Sequence, residues 1–153
     1  MANTYTQLYI HFVFAVKYRE AIIKPEWDER LRLYITAIVQ NHKHKMLAIN
    51  NMPDHIHMLI GQHPAQSVSE LMQIVKGESS EWINKEHLTP RKFQWQEGYG
   101  AFSYSRSQID TIVNYIANQQ EHHKKYSFMD EYKDMLDKFN VEYNEVYIFK
   151  QPE

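Results

Sequence analysis

One stretch of the sequence reads Met52-Pro53-Asp54-His55-Ile56-His57-Met58-Leu59-Ile60-Gly61. Its apolar residues, bounded by a proline and a glycine, predict a β-strand. Because alternate residues of a strand face the same side, His55 and His57 would project together while Ile56 packs on the other side. Two neutral imidazoles side by side are a frequent part of a metal site. They can also be two hydrogen-bonded polar residues of a half-buried strand, so the rest of the chain must decide.

The elements around this strand predict one α+β domain over residues 1–153. Its core spans about 5–126, and an acidic helix and tail occupy about 127–153. The first half of the chain predicts a strand at 5–16, a helix at 25–42, a strand at 45–52, a turn at Pro53-Asp54 and the His-x-His strand, which ends at Gly61. The second half predicts a helix capped by Ser67 and Glu70, a strand with a loop at 93–105, a helix from Ser107 and Asp110 to about Lys125, and a helix at 129–139.

This order of elements predicts the overall topology. The first six elements follow the ferredoxin-like split βαβ order, to which a third helix and a C-terminal helix are added. We therefore expect an antiparallel sheet with helices on one face. His55 and His57 would then lie on a central strand, on the face opposite those helices.

Composition excludes several classes of function. The chain contains no cysteine, which rules out disulfides, thiolate zinc sites and cysteine nucleophiles. It also lacks an apolar run of membrane-spanning length, so we expect a cytoplasmic protein with no membrane partner. The net charge is −2, but residues 1–125 carry 14 Lys and Arg against 12 Asp and Glu, whereas residues 126–153 carry 3 against 7. A local basic surface on the main body therefore stays open.

The third predicted helix carries a second candidate feature. Tyr115 and Gln119 lie one turn apart, on the flank of an apolar stripe formed by Ile109, Ile112, Val113 and Ile116. A tyrosine beside such a stripe is most often an amphipathic spacer with its hydroxyl at the surface. A glutamine there is ordinarily a solvated helix residue. Residue type and spacing alone do not assign a role to either side chain.

Four segments taken together resemble a known family. They are Met52-Pro53-Asp54-His55-Ile56-His57, Lys76-Gly77-Glu78-Ser79-Ser80, Trp95-Gln96-Glu97-Gly98-Tyr99-Gly100-Ala101-Phe102-Ser103 and Tyr115-Ile116-Ala117-Asn118-Gln119-Gln120-Glu121-His122-His123. This set is similar to the single-tyrosine HUH transposases of the insertion-sequence 200/605 group and their relatives associated with repetitive extragenic palindromes. The similarity runs from the first strand to about Phe139.

The resemblance implies a metal-dependent transposase that cuts and rejoins single-stranded DNA. His55, His57 and Gln119 would bind one divalent cation, Mg²⁺ or Mn²⁺. Tyr115 would attack a phosphodiester, leaving a 5′-phosphotyrosine and a free 3′-hydroxyl, so that rejoining needs no nucleotide cofactor. Because these three ligands include no anion, we expect the metal to bind mainly when DNA is present.

The resemblance also implies a DNA hairpin or palindromic element as substrate. It implies a homodimer, although some relatives act as monomers, and it leaves open whether the site is shared between subunits. Candidate phosphate contacts, each of which can also be an ordinary solvated charge, are Lys17, Arg19, Lys76 and Arg106. His122 and His123 could assist the site, although a hydrated helix end explains their positions equally well.

Two other interpretations remain. One is a relaxase-like or replication-initiator nickase, which the short chain disfavours. The other is a non-catalytic module that binds single-stranded nucleic acid, since RNA-recognition domains share the split βαβ order. Tyr99, Tyr104 and Tyr126 compete with Tyr115 as nucleophiles, but none of them is followed four residues later by a glutamine in a helical stretch.

Overall fold

The computed structural model describes residues 4–143, which form a four-stranded antiparallel sheet covered by helices. The strands are β1 (Tyr9–Ala15), β2 (Lys45–Met52), β3 (His55–Gly61) and β4 (Gly100–Tyr104). They are arranged in the order β2-β3-β1-β4, and every neighbouring pair is antiparallel. This arrangement confirms the predicted ferredoxin-like α+β fold and the central position of the His-x-His strand.

Two long helices cover one face of the sheet. These are α1 (Asp28–Asn41) and α2 (Val68–Lys85), and Ser67 caps α2 by accepting a hydrogen bond from the Glu70 backbone N–H, as predicted. Beneath them, alternate residues of the two central strands form the main core, namely Phe12, Phe14, Ile56, Met58 and Ile60. Strand alternation therefore turns His55 and His57 to the other face.

The other face is covered as well. Three further helices lie there: α3 (Ile109–Ala117), α4 (Gln119–His122) and α5 (Phe128–Lys138). One cluster packs Val13 of β1 against Phe128 and Leu136 of α5. A second cluster packs Leu59 of β3 against Ile116 of α3. The prediction of helices on one face thus holds for α1 and α2 only, and the two histidines lie in a second buried layer.

The third helix differs from its prediction at both ends. A single 3-10 turn, Arg106–Gln108, precedes it, and the capping box of that turn places the cap at Ser105, two residues before the expected Ser107. It ends at Ala117, and Asn118, with φ −101° and ψ 24°, separates it from α4. The prediction of one helix to about Lys125 is therefore wrong. Asparagine has a short polar side chain that favours helix ends over helix interiors.

The other boundaries shift only modestly. β1 and β4 are shorter than the predicted strands at 5–16 and 93–105, and α1 starts at Asp28 rather than residue 25. The C-terminal acidic helix begins and ends one residue earlier than the predicted range 129–139. No helix in residues 4–143 has both the length and the apolar run needed to cross a membrane. The predicted tail, from residue 144 onward, lies outside the described residues.

The acidic helix α5 packs closely against the sheet. Its N-cap, Ser127, accepts a hydrogen bond from the backbone N–H of Asp130. Gly100, the first residue of β4, leaves room for the ring of Tyr132, because a Cβ built there would lie 2.7 Å from Tyr132 Cε1. A side chain at residue 100 would push α5 away from the sheet.

The prediction that residues 1–153 form one domain stays a prediction.

Candidate active site

His55 is held in an orientation that leaves one ring nitrogen unused. It pairs with Ala15 of β1 in the sheet register, and only 1% of its surface is exposed. Its Nδ1 donates to Asp54 Oδ1 at 2.7 Å. The opposite nitrogen, Nε2, has no hydrogen-bond partner among the described residues. A carboxylate on Nδ1 leaves the Nε2 lone pair available, as in histidines that bind metals.

His57 lies between a second histidine and a carboxylate. His11 of β1 donates from Nε2 to His57 Nδ1 at 2.8 Å, and His57 Nε2 donates to Glu131 Oε1 at 2.9 Å. We assign these tautomers from the network, since a carboxylate can only accept. Burial lowers the pKa of His57 to about 4, although the hydrogen bond and charge of Glu131 act in the opposite direction. Burial also lowers the pKa of His11 well below its ordinary value.

Glu131 is the centre of this cluster. It lies on α5, and only 2% of its surface is exposed. Its Oε1 accepts from His57 and from His123, the latter at 3.2 Å, and lies 3.7 Å from His55 Nε2. Burial alone would raise its pKa, but hydrogen bonds from His123 and His57, together with the bond from Tyr115, outweigh burial and lower it. A buried anion therefore faces three imidazoles.

Tyr115 meets the other oxygen of the same carboxylate. Its hydroxyl donates to Glu131 Oε2, and its ring centroid lies 5.8 Å from that of His57. Burial, followed by the negative charge of Glu131, raises the pKa of the phenol above its ordinary value of 10.0. Tyr115 is consequently a neutral phenol at pH 7 and has to lose its proton if it acts as a nucleophile.

Gln119 reaches the cluster because the helix breaks just before it. The side chain is fully buried, and its Nε2 donates to Glu131 Oε2 at 3.3 Å. Its Oε1 has no hydrogen-bond partner among the residues the structure describes. The helix predicted to contain both Tyr115 and Gln119 is interrupted at Asn118. Both side chains nevertheless contact the Glu131 carboxylate.

The two histidines at the end of α4, His122 and His123, differ in their relation to the site. His123 is nearly buried and its ring lies 4.8 Å, between centroids, from that of His55. His122 is more exposed, and its Nε2 lies 3.1 Å from Glu131 Oε2 without forming a hydrogen bond to it. Both residues border the cluster, so the hydrated helix end considered from the sequence is not their environment.

None of the contacts described around Glu131 involves the four basic residues proposed as phosphate contacts. Lys17 donates to Gln94 Oε1 at 3.0 Å, and Arg19 shares its single helical turn. Lys76 donates to the backbone carbonyls of Gln96 and Gly98, and burial lowers its pKa. Arg106 donates to the Tyr9 hydroxyl at 3.3 Å. Lys17 and Lys76 line one groove beside α2.

The donor atoms fit a divalent cation. One nitrogen from each of His55, His57 and His123 and one oxygen of Glu131 all lie within 4.8 Å of one another. Four buried atoms in or beside the cluster have no hydrogen-bond partner in the described chain, namely His11 Nδ1, His55 Nε2, Gln119 Oε1 and His122 Nε2. Unpaired buried acceptors are costly, and a cation bound to His55 Nε2 and Gln119 Oε1 would satisfy those two.

An open cleft of about 270 Å³ adjoins Tyr115. Aromatic and imidazole rings line much of it, namely Tyr104, His122, Tyr126 and Phe139. Flat rings of this kind are the surfaces on which single-stranded bases stack. The nucleophile candidate therefore lies at the wall of a cleft rather than in a closed core.

Two residues of the cluster, His11 and Glu131, had no predicted role. His11 alternates with Val13 and Ala15, so strand periodicity places it on the face that His57 shares. Glu131 lies three residues after Phe128 and four before Met135, in the apolar stripe of an otherwise acidic helix. A carboxylate within such a stripe is the signal that could have identified it.

Comparisons with known proteins identify the family. The family model described as "Transposase IS200 like" matches residues 4–119. The chain therefore belongs to the IS200-like transposase family, in agreement with the resemblance found in the sequence. It is 26% identical over 121 residues to the ISDra2 transposase TnpA of Deinococcus radiodurans, covering 75% of this chain and 86% of the relative. It is 29% identical over 130 residues to the IS200 transposase of Salmonella typhimurium, covering 81% and 84%.

Two solved structures share the fold. A crystal structure from Deinococcus radiodurans R1, of a protein assigned as a transposase, matches with a TM-score of 0.63 and 25% identity over 78% of this chain and 95% of that chain. A REP-associated tyrosine transposase bound to a REP hairpin matches with a TM-score of 0.61 over 80% of this chain and 73% of that chain. At 14% identity, the second likeness concerns the fold.

Proposed function

We propose that this chain is a metal-dependent transposase that cleaves and rejoins single-stranded DNA through a 5′-phosphotyrosine on Tyr115. One observation carries this proposal. A single carboxylate, Glu131, accepts hydrogen bonds from the Tyr115 hydroxyl on one oxygen and from His57 on the other. The candidate nucleophile and the candidate metal ligands therefore meet within one chain, beside an aromatic cleft.

In the first step, the Tyr115 oxygen attacks phosphorus of a DNA phosphodiester. A bond forms between that oxygen and phosphorus, the bond from phosphorus to the 3′ oxygen breaks, and the DNA leaves a free 3′-hydroxyl. Glu131 Oε2 already accepts the phenolic hydrogen bond, so it orients the attacking oxygen, while the phenolic proton passes through solvent to the leaving 3′ oxygen and completes the 3′-hydroxyl. Rejoining reverses these changes, with a 3′-hydroxyl attacking the phosphotyrosine.

The metal would be held by His55, His57 and Gln119. Two of the atoms concerned, His55 Nε2 and Gln119 Oε1, are buried and have no hydrogen-bond partner within residues 4–143. When bound, a divalent cation neutralises charge on the scissile phosphate, a main requirement of phosphoryl transfer. Asp54 accepts from His55 Nδ1 and so leaves Nε2 free for the metal. His11 would orient the His57 ring in the same way once His57 carries its proton on Nδ1 and donates it to His11 Nε2.

The substrate proposed is single-stranded DNA that carries a hairpin or palindromic element. The REP-associated transposase of the same fold is bound to a REP hairpin in its structure. The cleft beside Tyr115 offers rings on which unpaired bases can stack, whereas paired bases are already stacked in a duplex. Lys17 and Lys76 in the groove beside α2, together with Arg19 and Arg106, are proposed contacts to the DNA backbone.

A homodimer, which the resemblance implies, stays part of the proposal. It is not required to complete the site, because the histidines and the tyrosine of one chain contact the same carboxylate. We propose that each subunit cleaves with its own residues. Mixing a Tyr115→Phe chain with a His57→Ala chain tests this point, since only a site shared between subunits would restore cleavage.

The decisive experiment tests for a covalent adduct. The full chain is incubated with single-stranded DNA from the flanks of its own gene, with Mg²⁺ or Mn²⁺, and resolved on a denaturing gel. We expect a DNA–protein adduct that excess EDTA prevents, and little adduct with the perfectly paired duplex at the same salt. No adduct under any metal condition would favour the non-catalytic binding module. Cleavage without rejoining would favour the nickase.

A further inference from the structure

We propose that Glu131 and His123 join His55 and His57 as direct ligands of the cation, forming a site that holds Mn²⁺ before any DNA is bound. This inference deepens the proposed function, on which it rests for the role of the metal in cleavage. Glu131 and His123 lie beyond residue 119, where the match to the family model ends. They belong to α5 and to the segment that leads into it.

The separations between the donor atoms fit a coordination shell. Glu131 Oε1 lies 2.9 Å from His57 Nε2, 3.2 Å from His123 Nε2 and 3.7 Å from His55 Nε2. With bonds of about 2.1 Å, neighbouring ligand atoms lie about 3.0 Å apart on an octahedron and about 3.4 Å apart on a tetrahedron. All four atoms lie within 4.8 Å of one another, against about 4.2 Å for opposite ligands of an octahedron. A cation at their centre would therefore draw the ligands in by a few tenths of an ångström, roughly, and would replace the hydrogen bonds of His57 and His123 to Glu131.

The charges in the cluster also favour a cation. Glu131 is a carboxylate inside the protein, and its partners in the described chain are imidazoles, a phenol and an amide. Buried carboxylates are ordinarily paired with a full positive charge or bound to a metal. The imidazoles supply hydrogen bonds, but a divalent cation would also balance the charge.

The donor set points to a transition metal ion. Three imidazole nitrogens suit a first-row transition metal ion, and the carboxylate oxygen suits Mn²⁺ among these ions, whereas Mg²⁺ prefers a shell of oxygen atoms. The three residues expected from the resemblance contain no anionic ligand, and that set would depend on DNA for tight binding. With Glu131 included, the protein supplies the negative charge itself.

The test is calorimetric titration of MnCl₂ into the EDTA-stripped full chain without DNA. We expect one Mn²⁺ per chain. Glu131→Gln keeps the shape of the side chain but removes its charge, and should weaken Mn²⁺ binding at least about tenfold. Asp130→Asn is the matched control, because it removes one negative charge from an exposed position of the same helix. It should bind Mn²⁺ like the unmodified chain.

A second measurement starts from the unmodified chain, so its main result does not depend on a variant that could be destabilised. Electron spin echo spectroscopy of bound Mn²⁺ counts the directly coordinated imidazole nitrogens. We expect three in the unmodified chain and two in His123→Ala. Failure of the unmodified chain to bind Mn²⁺ without DNA, or equal affinities of Glu131→Gln and Asp130→Asn, would overturn the proposal. A count of two in the unmodified chain would overturn the role of His123.

These outcomes are separable from the failure of the proposed function. A chain that binds Mn²⁺ without DNA but forms no Tyr115 adduct would support this site and refute the transposase mechanism. A chain that forms the adduct in Mn²⁺, yet binds no Mn²⁺ in the absence of DNA, would keep the mechanism and refute this ligand set.

Discussion

Glu131 Oε1 lies 2.9 Å from His57 Nε2, although 74 residues separate them along the chain. The contact joins a central strand of the sheet to α5, a helix outside the matched residues 4–119. The position of the carboxylate depends on how α5 packs, because Phe128 and Leu136 of that helix are buried against β1 and β4. The chemistry proposed for the site therefore depends on the C-terminal helix as much as on the sheet.

Acidification is expected to destabilise the metal-free chain between pH 7 and pH 5. His57 has a pKa of about 4 when folded, against an ordinary 6.5, so the unfolded chain binds more protons throughout this range. Stability therefore falls as the pH falls, by about 2 kcal/mol from His57 alone. His11 acts in the same direction. Urea unfolding in EDTA at the two pH values measures the effect.

Two variants separate this effect from general acid sensitivity. His57→Gln should reduce the loss of stability between pH 7 and pH 5, because the titrating group is gone. His87→Asn is the control, since His87 is exposed and its φ of 53° suits asparagine. It should keep the full pH dependence. An unchanged dependence in His57→Gln would contradict the assignment.

Two glycine substitutions should have opposite effects on stability. At Gly100, a Cβ would lie 2.7 Å from Tyr132 Cε1 and 2.9 Å from Phe102 Cε2. Gly100→Ala should cost about 1–3 kcal/mol, because the rings and α5 must shift. Gly77 lies inside α2 with nothing within 4 Å of its Cβ position. Gly77→Ala should stabilise by about 0.5–1 kcal/mol. Chemical denaturation measures both, and a neutral Gly100→Ala would show that α5 packs loosely.

The sheet could be predicted from the sequence because its signals are local. Alternation in the His55 strand, the Pro53 turn and the Ser67 cap each depend on a few neighbouring residues, and all three agree with the structure. The break at Asn118 could not be predicted in this way. Helical periodicity continues through it, and the packing of Gln119 against α5 is a tertiary contact.

The carboxylate of the site was missed for a related reason. Glu131 is one of several acidic residues of α5, and composition alone describes that helix as solvated. What distinguishes Glu131 is that it faces the sheet, and this depends on the contact between α5 and β1. His11 was overlooked because its partner, His57, is 46 residues away and on a neighbouring strand. Pairing between strands is not readable from one sequence.

Removal of His11 should weaken metal binding, although His11 is not itself a proposed metal ligand. His11 Nε2 holds Nδ1 of His57, and partners of this kind typically change metal affinity 10–100-fold, by rough measure. His11→Leu should raise the Mn²⁺ concentration for half-maximal cleavage by about that factor. His44→Leu removes another buried histidine, which contacts Gln66 instead, and is the control for lost stability. Wild-type Mn²⁺ dependence in His11→Leu would reduce His11 to a packing role.

Tyr115→Phe is expected to abolish the covalent adduct while the chain still folds and binds metal. The variant lacks the oxygen that would carry the phosphate, but keeps the ring. It should lose about 1–3 kcal/mol, because Glu131 loses a hydrogen-bond donor. Tyr104→Phe and Tyr126→Phe, at residues lining the same cleft, should still form the adduct. Mass spectrometry of the peptide linked to a 5′-phosphate identifies the nucleophile, and an adduct on any other residue would overturn the assignment.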